Sequence, residues 1–277
     1  MKNKENQTKG KINAEKILKR IHIHDLDHGG VFVSITGAQG SGKTSVMLSF
    51  MKYTITHYPN EKIFFSNPYN APLQFVKIGK EHYHIMTKEG AGVTFHDRTQ
   101  RLKQIYPNVT MFKDYNDLYE KALPGYCNAV FFGDRYEWMG FVHYLRSVGE
   151  WTHLYFDELS EIAPAFTGGG IWKQIKDFAI DLKEIRKCQI NVFSNTQSLQ
   201  DLDHRVRTKT MIRLYMPGAR SGGESRVNQP AIDNLEENPK LGNQGYVEMS
   251  GKFGRTRFKD IFKPNQKQLW EARVNGE

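Results

Sequence analysis

Apolar residues along the chain fall into two rhythms: short unbroken runs, and longer stretches spaced by three and four. Residues 31–36 form a run rich in β-branched and aromatic side chains, predicting a buried strand after a polar turn over 22–30. Val46, Met47, Phe50, Met51 and Tyr53 recur at helical spacing, which predicts a helix over 45–57. A second strand is expected at 62–66, set off by Pro59 and Pro68. From 129 onward the alternation is regular: strand 129–132, helix 136–147, strand 152–156, helix 171–187, strand 190–194, a short helix around 198–205 and strand 211–215. Segments 245–249 and 255–258 suit an antiparallel hairpin. Strands alternating with helices point to an α/β fold with a mostly parallel central sheet covered on both faces.

Residues 67–126 are less regular. They hold strand-like pieces at 83–86, 93–96 and 109–112 and a helix at 116–122, a mixed insertion within a body spanning 21–250. Residues 1–20 read as a mobile basic arm, with a weak helical pattern at Ile12, Ile17 and Leu18. Residues 251–277 read as a basic tail or hairpin.

Composition narrows the class. Of 277 residues 39% are hydrophobic and 12% aromatic, enough for a packed core. No window approaches 18 consecutive apolar residues, so no membrane span is expected. The basic N-terminus is not followed by the apolar stretch of a secretory signal. Cys127 and Cys188 make no disulfide framework, and a reducing, cytoplasmic setting is expected. The net charge of +9 resides at the ends: seven basic against two acidic residues in 1–20, and seven against three in 251–277. The remaining body holds 25 of each sign, so net charge argues only weakly for a polyanionic partner.

The chemistry lies inside that neutral body. Gly37-Ala38-Gln39-Gly40-Ser41-Gly42-Lys43-Thr44 fits G-x-x-x-x-G-K-[ST] and sits between a predicted strand and a predicted helix. Glycines let successive backbone N–H groups turn inward on phosphate oxygens, and the helix presents its positive end to the same anion. Lys43 reaches the β- and γ-phosphates, and Thr44 offers a hydroxyl to Mg²⁺. The apolar strand at 152–156 ends in Asp157-Glu158. Beside a phosphate loop, Asp157 is placed to hold Mg²⁺ or its waters, and Glu158 to polarise the attacking water. The strand at 190–194 runs into Asn195-Thr196-Gln197. Gln197 is a candidate to sense the γ-phosphate or orient water; alternatively this stretch leads into a helix capped by Ser198.

These features resemble the FtsK/HerA superfamily of P-loop ATPases, motors that pump DNA. The resemblance covers the phosphate loop and then 151–249, where the acidic strand is followed by a helix ending in Arg186, a strand ending in Thr196-Gln197, a basic segment at 205–209, and Ser225-Arg226. It implies a three-layer RecA/ASCE-like fold with the 190–194 strand between those at 31–36 and 152–156. It also implies ATP with Mg²⁺, a hexameric ring, double-stranded DNA bound without sequence preference, and an arginine acting on the neighbouring subunit's nucleotide. Arg186 is the first candidate for that finger, then Arg226 and Arg207, each of which is otherwise a surface arginine paired with a carboxylate. Packaging or plasmid-transfer ATPases of viruses and mobile elements are similar in size. The zonular occludens toxin-like branch shares the order Asp-Glu, basic helix end, Thr-Gln, and leaves open an assembly or secretion ATPase acting on a protein. A nucleotide-switched DNA-binding protein is the remaining alternative.

Other segments admit two readings each. Nine basic and four acidic residues between Lys183 and Arg226 are either a DNA-facing patch or a solvated face with active-site arginines. Cations alternate with aromatics over 252–259, as in a nucleic-acid contact or an edge strand. His22, His24, Asp25, Asp27 and His28 are metal-ligand types without a recognised spacing, and a polar turn is the preferred reading. Gly168-Gly169-Gly170 after the acidic pair is either a gating loop or plain slack.

Overall fold

In a computed structural model the described residues are 29–66, 72–74, 83–97, 109–166, 168–236, 243–258 and 269–274. The basic arm and the His22–His28 group therefore lie outside the described residues. In chain order the elements are β1 Phe32–Thr36, α1 Lys43–His57, β2 Lys62–Ser66, β3 Pro72–Gln74, β4 Tyr83–Lys88, β5 Val93–Asp97, β6 Val109–Phe112, α2 Tyr115–Lys121 and β7 Cys127–Phe131. They continue with α3 Glu137–Leu145, β8 Thr152–Phe156, α4 Gly170–Glu184, β9 Ile190–Thr196, α5 His204–Arg207, β10 Ile212–Tyr215, α6 Gln229–Asp233, β11 Gln244–Met249, β12 Lys252–Arg257 and β13 Leu269–Val274.

Ten strands form the main sheet in the order β12-β11-β10-β1-β9-β8-β2-β7-β4-β6. Strands β10 through β6 in that order pair in parallel. The β11–β12 hairpin closes one edge antiparallel, as the sequence reading expects. The order β1-β9-β8 at the centre is the one implied by the resemblance. The stretch read as a mixed insertion contributes β4 and β6 to the main sheet, while β3 and β5 flank β13 in a separate antiparallel sheet.

The runs that read as unbroken apolar segments are strands buried on both faces. Successive residues take opposite sides. Val33, Ile35, Ile63, Phe65, Tyr155 and Phe193 meet α1 through Val46, Met47, Phe50 and Met51. Phe32, Phe64, Leu154, Phe156 and Val192 meet α3 and α4 through Trp138, Phe141, Val142, Ile175, Phe178 and Leu182. Two apolar interfaces on one sheet make the three layers. The predicted helix at 171–187 ends earlier than expected: α4 tightens into a 3-10 turn at Ile185–Cys188, and Gln189 (φ 58°) reverses the chain into β9. The short helix around 198–205 resolves into a 3-10 turn at Leu199–Asp201 and α5. Ser198 accepts from the Gln200 amide and caps the first piece, the alternative weighed for this stretch.

Candidate nucleotide site

The parallel strands β1, β8 and β9 run side by side, so whatever follows each of them gathers at one edge of the sheet. That edge receives the phosphate loop, the acidic pair and the polar end of β9, bringing together segments 113 and 151 residues apart in sequence.

The loop leaves β1 under restraint. Met216 N donates to Thr36 O at 2.7 Å, Ala38 N to Pro217 O at 3.0 Å, and Asn243 Nδ2 to Ser41 O at 2.7 Å. Gly42 is the N-cap of α1 in the left-handed region (φ 91°), and with no side chain to cap the first helical amides it suits a helix start that could receive an anion. A Cβ on Gly37 would lie 2.5 Å from Ser41 Oγ and 2.7 Å from Met216 Cβ, so this position admits no side chain. Lys43 is only 8% exposed, and its ammonium donates to Gly37 O at 2.8 Å and Ala38 O at 2.9 Å. Burial lowers its pKa, opposed by the negative charges of Glu158 and Asp157.

Thr44 Oγ1 donates to Asp157 Oδ1 at 3.2 Å, bringing together the two oxygens expected to hold metal. Burial raises the Asp157 pKa, against hydrogen bonds from Asn195 and Thr44. Glu158 occupies the left-handed region (φ 63°, ψ 66°), uncommon for a residue with a side chain. Its carboxylate accepts from Ser160 Oγ at 2.5 Å, and Ser160 in turn accepts from Thr196 Oγ1 at 3.3 Å. The left-handed turn and this relay fix the Glu158 carboxylate on Ser160.

Asn195 was not singled out from sequence, yet it joins the parts. Buried at the end of β9, it donates to Asp157 Oδ1 and Thr44 Oγ1 and accepts from the Glu158 amide. The available signal was a polar residue closing an otherwise apolar strand. Gln197 sits two residues on, exposed just past the end of β9.

The three candidate finger arginines have other partners. Arg186, in the turn before β9, meets the chain just ahead of β1: its carbonyl accepts from Gly30 N at 3.1 Å. It is thus at the opposite edge of the sheet, roughly 15 Å of strand from the phosphate loop. Arg207 pairs with Glu224 at 2.9 Å and donates to Leu199 O at 3.1 Å. Arg226 lies beside Gly251 at the start of β12. Within the basic stretch between Lys183 and Arg226, Lys187 also pairs with Glu184, and Arg205 pairs with Asp203 while lying over the Trp172 ring at 4.5 Å. Along β12, Arg257 pairs with Glu236 and Phe258 is buried, the arrangement of an edge strand. Among the described residues no helix is long and apolar enough to cross a membrane.

No protein-family model matches the chain, and no curated protein matches it by sequence. Solved structures do. The genome packaging NTPase B204 from Sulfolobus turreted icosahedral virus 2, in complex with ATP-gammaS, is 11% identical over 82% of this chain and 97% of its own, with a TM-score of 0.52. Its AMPPCP complex gives 12% identity, the same coverage and a TM-score of 0.52. The N-terminal domain of zonular occludens toxin from Neisseria meningitidis is 15% identical over 86% of this chain and 96% of its own, with a TM-score of 0.41, too distant to weigh. At such identities the likeness speaks for the fold. This chain has the P-loop NTPase fold.

Proposed function

We propose that the protein is an Mg²⁺-dependent ATPase of the FtsK/HerA type that moves DNA through an oligomeric ring, serving genome packaging or transfer for a virus or mobile element. One observation carries the reading: Lys43, Thr44, Asp157 and Glu158 converge at one edge of the sheet, on a fold shared with a genome packaging NTPase that binds ATP-gammaS.

The residues divide the work. Loop amides and Lys43 bind the phosphates, the ammonium exchanging its hold on the Gly37 and Ala38 carbonyls for phosphate oxygens. Thr44 and Asp157 present two hard oxygens side by side, a donor set that suits Mg²⁺, which takes few protein ligands and keeps phosphate oxygens and waters for the rest. When bound, that ion neutralises charge developing on the transferring phosphoryl group. Glu158, held by Ser160, takes the proton of the attacking water. Gln197, at the exposed strand tip, reports the γ-phosphate. Arg186 is too far from its own phosphate loop to touch that nucleotide, so its role as a finger requires a neighbouring subunit in a ring, a hexamer by resemblance. Double-stranded DNA would be held by its phosphates without base reading, in the cytoplasm.

The test is ATPase turnover of purified protein with and without double-stranded DNA, alongside sedimentation for ring size. The expected result is several-fold stimulation by DNA and an oligomer. Turnover unaffected by DNA would sink the motor reading in favour of an assembly ATPase acting on protein. Arg186→Ala subunits mixed into wild type should depress activity more than in proportion to their share.

A further inference from the structure

A loop that receives an anion on its backbone N–H groups must keep those groups turned inward, and the carbonyls of the same peptides then turn outward and need donors. Two carbonyls of the phosphate loop find donors close by: Ala38 O accepts from Ser41 N at 3.2 Å, and Gly42 O from Val46 N at 3.0 Å. The Ser41 carbonyl is served differently. Its donor is Asn243 Nδ2 at 2.7 Å, a side chain 202 residues further along the chain.

Ser41 C=O and Gly42 N–H belong to one planar trans peptide and point in opposite directions. Whatever holds the carbonyl out therefore holds the N–H in. Gly42, at φ 91° and ψ 15°, has no Cβ to resist a rotation of that plane. The Ser41 side chain supplies no anchor either, because its Oγ is enclosed and makes no hydrogen bond. Asn243 is firmly set against this peptide: a Cβ added to Gly42 would lie 3.6 Å from its Nδ2. It immediately precedes β11, whose antiparallel pairing with β10 brings its first residues to the edge where the phosphate loop lies. The Asn243 carbonyl accepts from Phe258 N at 3.0 Å, just past the end of β12, and Phe258 is buried in the same cluster as Met47 of α1 and Met216.

We infer that Asn243 is a positioning residue of the nucleotide site: it holds the Ser41–Gly42 peptide with its N–H turned inward, ready for a phosphate oxygen. The β11–β12 hairpin, which fixes Asn243, is thereby part of the nucleotide site. This inference rests on the reading of residues 37–44 as a nucleotide-binding loop.

The experiment titrates AMPPCP with Mg²⁺ into wild type, Lys43→Ala, Asn243→Leu and Asn243→Ala by calorimetry. Leucine keeps the shape of the asparagine and removes its donor; alanine adds no bulk at this half-buried position, so its result stands if the leucine variant does not fold. In parallel, ¹³C at the serine carbonyl with ¹⁵N in glycine picks out the three Ser–Gly peptides of the chain, 41–42, 221–222 and 250–251, by nuclear magnetic resonance. AMPPCP should shift the Gly42 amide strongly in wild type and little in the Asn243 variants, whose affinity falls about tenfold or more, the scale of one lost charge-assisted hydrogen bond. A wild-type Gly42 shift in both variants, or wild-type affinity in both, overturns the inference; a purely structural role would leave that shift intact. Affinity lost in Lys43→Ala but kept in both Asn243 variants removes Asn243 alone. If wild type does not bind AMPPCP, or Lys43→Ala binds it equally well, the nucleotide reading fails and this inference with it.

Discussion

The amide of Asn195 lies between the two carboxylate residues of the site, donating to Asp157 Oδ1 at 2.5 Å and accepting the backbone N–H of Glu158 at 2.8 Å. A single buried side chain thus holds both the Asp157 oxygen proposed to face the metal and the backbone of Glu158, the proposed base. Asn195→Ala should lower turnover about a hundredfold, the scale expected when reacting groups shift by an ångström. Asn195→Asp should be worse, since it sets a carboxylate against Asp157. Single-turnover hydrolysis beside nucleotide affinity separates the steps, and wild-type rates in Asn195→Ala would show that Asn195 positions nothing.

Glu158→Gln keeps shape and removes the proposed base. Turnover should fall by about 10²–10⁴, with nucleotide affinity retained. Ser160→Ala, which only frees the carboxylate from its 2.5 Å tether, should cost less, roughly tenfold. Equal losses in the two variants would argue that Ser160 acts directly on the water.

Gly37→Ala tests the packing of the phosphate loop. A methyl 2.5 Å from Ser41 Oγ and 2.7 Å from Met216 Cβ must displace the loop. Nucleotide affinity should drop at least tenfold and stability by about 1–3 kcal/mol, as overpacking does. Isothermal titration and thermal melting read the two effects; an unchanged affinity would mean that the loop has room the geometry denies.

His153 on β8 is buried, with its pKa pushed down by burial to about 3, and it contacts Glu61 Oε2 at 2.5 Å. The unfolded chain protonates His153 near pH 6.5, the folded chain only near 3, so between those values the unfolded state binds more protons at this residue. Stability should be fully present above about pH 6.5 and fall by about 1.4 kcal/mol per pH unit below it from this group alone. In melts from pH 7 to 4.5, His153→Gln should flatten that acid slope; parallel slopes in the two proteins would remove His153 as its cause.

Much of the site was legible because its chemistry is local. A Gly-rich turn between strand and helix, and an apolar run ending in Asp157-Glu158, each carry their signal within eight residues. Alternation of buried runs with helical spacing likewise announced a parallel sheet, since strands covered on both faces leave no polar side to show. Asn195 escaped notice because its meaning is entirely its neighbours: a polar residue ending a strand is common, and only the pairing of β9 between β1 and β8 makes it a bridge. The same applies to 67–126. Short strands such as β4 and β6 have weak local patterns, and their place at the sheet edge comes from pairing with β7 and with each other.

The sequence by itself thus determined the phosphate loop, the acidic pair and the class of fold, all written in contiguous residues. Tertiary structure alone decided that Arg186 lies at the opposite edge from its own chain's phosphate loop, and that Arg213 and Thr210 line one cavity there. The reason is geometric. Parallel strands carry every loop that follows them to one edge and every turn that precedes them to the other, and a residue's edge is set by strand direction and pairing, which no local pattern encodes.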